Sequence, residues 1–143
     1  SQAESRAYEA ALMRTVPRDE RGVAVFDCVL VGVGDDGHVG SLYPGHPEVL
    51  DDSGRWVLPV DIKSPGSITL SLDVMRNAKT VIVAACGVSD KYPAGKSDAM
   101  RRAVETDETL DSFPAVGLRD KAIYVFDAAA ASKLAPAFLR VAS

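Results

Sequence analysis

The feature that most constrains this chain is Val23-Ala24-Val25-Phe26-Asp27-Cys28-Val29-Leu30-Val31-Gly32-Val33, an almost unbroken apolar run rich in valine. An amphipathic helix would interrupt such a run every third or fourth position, and a half-exposed strand every second. Continuity of this kind predicts a strand buried on both faces, as in a parallel sheet covered by helices. The run stops at Gly32-Val33-Gly34-Asp35-Asp36-Gly37-His38, whose glycines predict a tight turn. Parallel sheets bind ligands beyond the carboxyl ends of their strands. That turn is therefore the first place to look for chemistry.

The remaining sequence divides into alternating elements. Residues 2–14 read as a helix, with Ala3, Ala7, Tyr8, Ala10 and Ala11 as its packing stripe and Pro17 beyond its end. Residues 44–54 have loop chemistry, Trp56–Val60 is a short strand weakened by Pro59, and Ser67–Leu72 is another strand. Asp73 is expected to cap a short helix through Asn77. Thr80–Cys86 is a second β-branched strand, Ser97–Glu105 a helix with Lys96, Arg101 and Arg102 exposed, and Pro114 lies in a loop. Ala122–Phe126 forms the last strand, followed by an alanine-rich helix capped by Asp127 and running to about residue 134. Strands alternating with helices predict an α/β fold with a largely parallel sheet. Residues 1–143 read as a single domain without internal repeats.

Composition sets bounds on function. A chain of 143 residues with 47 % hydrophobic and 25 % charged side chains can bury a core. Its net charge of −4 argues against nucleic acid or an anionic membrane as partner. No apolar run approaches a membrane span, so a soluble, intracellular protein is expected. Cys28 and Cys86, each inside a strand-like run, read as small buried hydrophobes in a reducing compartment ahead of a disulfide pair. No metal-ligand spacing is present, and no metal is expected.

His38 is one of two histidines and is flanked by Asp36 and Gly37, with Ser41 close behind. A histidine beside a carboxylate can serve as general base near neutral pH. His46 lies in a loop and has no comparable setting. Tyr43, Trp56 and Tyr92 read as packing or rim residues.

The segment from Phe26 through Gly32-Val33-Gly34-Asp35-Asp36-Gly37-His38 to Ser41-Leu42-Tyr43-Pro44-Gly45 resembles the signature of the 6-phosphogluconolactonases, roughly F-D-L-V-L-L-G-M-G-P-D-G-H-x-x-S-L-F-P. The related glucosamine-6-phosphate deaminases and isomerases share D-G-H but follow it with an A-F-N-E-P-like stretch, where this chain has Gly40-Ser41-Leu42-Tyr43-Pro44. Ile68-Thr69-Leu70-Ser71-Leu72 with Asn77-Ala78, the strand and turn from Thr80 to Gly87, Phe113-Pro114-Ala115, and Val125-Phe126-Asp127-Ala128-Ala129-Ala130 are similar to further family segments.

The resemblance implies a Rossmann-like three-layer fold lacking the family's N-terminal strands. It implies hydrolysis of 6-phosphoglucono-lactone in the oxidative pentose phosphate pathway, with His38 as the base that activates water and no cofactor. Asp36, Gly34 and Gly37 would shape the pocket, Ser41 would sit beside it, and the backbone of residues 34–37 would meet the oxyanion. Phosphate would fall to Lys96 or Lys91. The family's clamp arginine before I-T-L is replaced by Ser67, and the family's front phosphate loop has no counterpart here. That front half is then absent or supplied elsewhere, by a protein partner covering the exposed edge of the sheet. A catalytically weakened subunit of a larger complex is the alternative reading. The wording around Tyr43-Pro44-Gly45-His46-Pro47 points to a plastid or the cytosol.

Overall fold

The computed structural model describes residues 1–93 and 95–139. The β-branched stretch Thr80–Ala85 forms strand β4, the centre of a parallel sheet. Strand β1 (Cys28–Val31) lies on one side of it and β5 (Ala122–Phe126) on the other, in the order β1-β4-β5. The register aligns Leu30 with Ile82 and Ile82 with Ile123. A separate antiparallel hairpin is made by β2 (Val57–Val60) and β3 (Ser67–Leu70). Pro59 is tolerated there because a two-stranded ribbon leaves each strand one unpaired edge.

Alternation decides which way the sheet faces. Val81, Val83 and Ala85 of β4 point with Val29, Val31, Ala122, Tyr124 and Phe126 into the main core. Helix α3 (Ser97–Glu105) contributes Ala99, Met100 and Ala103 to the same core, and α4 (Ala128–Ala131) contributes Ala130. The opposite face carries Cys28, Leu30, Ala84, Ile123 and Val125, all exposed, with Leu30 at 72 %. The expectation that the first strand is buried on both faces is thus corrected. Among the described residues, the helical layer lies on one face only. Both cysteines, expected inside, are free and exposed for the same reason.

Helix α1 (Gln2–Thr15) leaves the parallel sheet alone and packs on the hairpin. Its inward side is Ser5, Glu9 and Leu12, not the alanine stripe: Ala3, Ala7 and Ala10 are exposed. The Glu9 carboxylate accepts the Trp56 and Val57 amides at 2.5 and 3.2 Å and pairs with Arg55 at 3.3 Å. That polar anchor, which no hydrophobic pattern reports, fixes the helix's rotation. Trp56 is buried in the second core beside Leu12 and Val74, its indole N–H donating to the Gly22 carbonyl at 3.0 Å.

The short helix α2 (Leu72–Arg76) begins two residues earlier than expected, because Ser71 and not Asp73 caps it by accepting the Val74 amide. Asp127 does cap α4, accepting from the Ala130 amide at 2.8 Å, and α4 ends at Ala131. Pro114 opens a 3-10 turn, Pro114–Leu118, whose missing N–H is no loss at a first helical position.

Candidate active site

The turn after β1 folds back on itself. Val39 bridges to both Val33 and Leu42, the Gly34 amide donates to the His38 carbonyl, and the Gly37 amide donates to the Gly34 carbonyl, each at 2.9 Å. Asp36 Oδ1 accepts from the His38 amide at 3.1 Å and lies 2.6 Å from His38 Nδ1. The two side chains close over Gly34, where a Cβ would stand 2.1 Å from His38 Nδ1. Only glycine leaves room for that pair.

Gly37 holds φ at +89°, and a Cβ there would meet the Phe113 ring at 2.4 Å. Phe113 is fully buried, its other flank covered by the Arg102 guanidinium at 4.3 Å from the ring centroid. Arg102, expected to face solvent, keeps a side chain 40 % exposed, and its guanidinium also covers this ring and pairs with Glu108 at 2.6 Å. The Ala115 amide donates to the Gly37 carbonyl at 2.9 Å. The Phe113-Pro114-Ala115 segment thus buttresses the turn from below.

Burial of the Asp36 carboxyl works to raise its pKa. The hydrogen bonds from the His38 amide and ring outweigh that and hold it below the usual carboxylate value. An ionised Asp36 selects the tautomer in which His38 Nδ1 carries the proton and Nε2 is a free acceptor.

His38 and Asp36 line an open cavity of about 810 Å³ beyond the carboxyl end of β1, together with Gly34, Tyr43, Lys91 and Lys96. Lys96 sits at the N-cap of α3, its ammonium donating to the Val33 carbonyl at 2.6 Å. Lys91 and Lys96 lie 5.2 and 5.6 Å from the Tyr92 ring centroid. Both lysines expected at the phosphate are thus in the cavity wall, and Lys96 is the one tied to the backbone. Gly37 and Ser41 are not in that wall. Gly37 is packed under Phe113, and Ser41 faces a neighbouring groove between β1 and β3, where its hydroxyl accepts from Ser67 at 3.1 Å. His46 also lies outside the cavity lining.

Two points were not visible in the sequence. The Gly34 and Gly37 amides, expected at an oxyanion, are consumed inside the turn. Lys63, which had no motif around it, enters the cavity wall from the β2–β3 connection. Its only sequence signal is a basic residue beside the Ser64-Pro65-Gly66 turn. Among the described residues, no group of three or more His, Cys, Asp or Glu is placed to hold a metal ion.

A parallel α/β sheet with a histidine–carboxylate pair and two lysines lining one cavity at its carboxyl edge is the arrangement of a Rossmann-like fold. The sequence model described as glucosamine-6-phosphate isomerases/6-phosphogluconolactonase matches residues 1–126, and the chain belongs to that family. It is 34 % identical over 139 residues to the 6-phosphogluconolactonase of Streptomyces coelicolor, covering 93 % of this chain and 50 % of that one. With the chloroplastic 6-phosphogluconolactonase 3 of Arabidopsis thaliana it shares 32 % over 119 residues, covering 81 % of this chain and 34 % of that one. The crystal structure of 6-phosphogluconolactonase from Leishmania guyanensis superposes with a TM-score of 0.71 at 26 % identity, over 94 % of this chain and 53 % of that one. The chain thus spans about a third to a half of the length of these relatives.

Proposed function

We propose that the cavity beside His38 hydrolyses a phosphorylated sugar lactone, 6-phosphoglucono-lactone, to 6-phosphogluconate, a step of the oxidative pentose phosphate pathway. The observation that carries this reading is the 2.6 Å His38–Asp36 pair facing a cavity walled by Lys91 and Lys96. His38 Nε2 takes a proton from water, and the oxygen attacks the lactone carbonyl to give a tetrahedral oxyanion. Collapse breaks the ring C–O bond, and the imidazolium returns its proton to the departing alkoxide. Asp36 orients the imidazole and stabilises its charged form without itself taking the proton. Lys96 and Lys91 hold the phosphate, and Gly34 leaves the space in which the pair closes. The relatives' names support the same reaction. A plastid or cytosolic setting is proposed with it.

Turnover of fresh 6-phosphoglucono-lactone, followed against spontaneous hydrolysis, tests this. The expected result is a rate above background that falls about 10²-fold or more in His38→Asn. Wild-type and variant rates both equal to the spontaneous one would overturn it.

A second reading is favoured by the apolar sheet face of Leu30, Ile123 and Val125. In it the chain is a non-catalytic subunit whose protein partner covers that face. Absent turnover together with a stoichiometric complex that buries Leu30 would favour this reading over the first.

A further inference from the structure

We infer that Lys63 is a specificity-determining residue of the same site, holding the substrate's phosphate together with Lys96; the inference rests on the lactonase reading above. Lys63 lines the cavity that His38, Lys91 and Lys96 share. Its ammonium lies 5.1 Å from the Tyr43 ring centroid and 3.5 Å from the Tyr43 hydroxyl. The Tyr43 ring rests in turn on the His38 imidazole, with centroids 4.6 Å apart. Tyr43 therefore contacts both this cation and the base, and Tyr92 likewise contacts Lys91 and Lys96.

Charge balance says what Lys63 is for. Lys79 and Lys133 each pair with a carboxylate at 2.6 Å. Among the described residues, Lys63, Lys91 and Lys96 form no ion pair, although all three share one cavity. The acidic residue nearest in sequence to Lys63, Asp61, is turned away and accepts the Ser1 hydroxyl at 2.5 Å. Asp36 is committed to His38. Asp35 is the other carboxylate of the cavity lining, so the three lysines outnumber the acid available to them, and a dianion placed among them offsets their mutual repulsion and gains charge-assisted hydrogen bonds. A sugar lactone without a phosphate carries no anionic group that does this, so the lysines select for the phosphorylated substrate. Lys63 reaches the site from an irregular connection, and the position before Ile68 that would carry an arginine is Ser67, whose hydroxyl is spent on Ser41.

The test measures affinity of the whole chain for 6-phosphogluconate and for gluconate, in wild type, Lys63→Gln, Lys63→Arg and Lys96→Gln. The expected result is about a tenfold or greater loss for 6-phosphogluconate in Lys63→Gln, no change for gluconate, and recovery in Lys63→Arg. Unchanged 6-phosphogluconate affinity in Lys63→Gln beside a clear loss in Lys96→Gln would overturn the role of Lys63 while leaving the site intact. Equal losses for both ligands would also overturn it, since Lys63 would then act through packing on Tyr43. Wild type that binds 6-phosphogluconate no better than gluconate overturns the phosphate site as a whole.

Discussion

The two ends of β1's influence differ sharply. The turn that follows the strand is held by its own groups: the Gly34, Gly37 and His38 amides and the Asp36 carboxylate are bonded within it, and Phe113 packs below Gly37. The outward face of the strand itself, continued by Ile82, Ala84, Ile123 and Val125, touches little. Both regions come from one apolar stretch of sequence. The site is specified by contacts within a few residues plus one buttress, whereas the sheet's second face needs a covering layer that the described residues do not provide. Local chemistry can therefore be complete where tertiary burial is not.

The largest effect that would break this contrast is Phe113→Ala. Removing a fully buried ring under Gly37 should cost about 3–5 kcal/mol in urea denaturation and reduce ligand binding at the cavity as the turn sags. A variant with unchanged stability and binding would show that the turn needs no buttress. On the sheet's other face, Leu30→Thr should shift stability by less than about 0.5 kcal/mol and reduce self-association, since it removes exposed apolar surface. A cost like that of a core leucine would mean the face is covered after all.

The smallest effect concerns pH. Asp36's carboxyl is held below the ordinary carboxylate value by its hydrogen bonds with His38. Its stabilising contribution is therefore present above that ordinary value, about 3.9, and is lost as pH falls through the lowered one. Wild type should melt a few degrees above Asp36→Asn at pH 6, and the gap should narrow as pH falls through the lowered value. A gap that does not narrow on acidification would assign the difference to something other than the ionised carboxylate.

Much of this arrangement was legible in the sequence, for identifiable reasons. Glycine at 34 and 37 and the D-G-H order mark a turn whose constraints are local, so the His38–Asp36 pair followed directly. Periodicity located the helices and strands because it reports the element's own geometry. It does not report the neighbour. Continuous valine predicted two covered faces where one is covered, and alanines at helical spacing predicted the wrong side of α1, which is set by Glu9 binding the Trp56 and Val57 amides. Lys63 stayed hidden because the β2–β3 connection that carries it to the cavity has no pattern of its own. The exposure of Arg102 follows from the polar face of an amphipathic helix, whereas the ring that its guanidinium also covers does not.

The most direct test of the account is an amide-resolved NMR titration of the chain with 6-phosphogluconate. Shifts are expected at residues 34–43, at Lys63 and at Lys91 and Lys96, with Cys28, Leu30, Ile123 and Val125 unmoved. Shifts confined to the outward sheet face, or none at millimolar ligand, would contradict it.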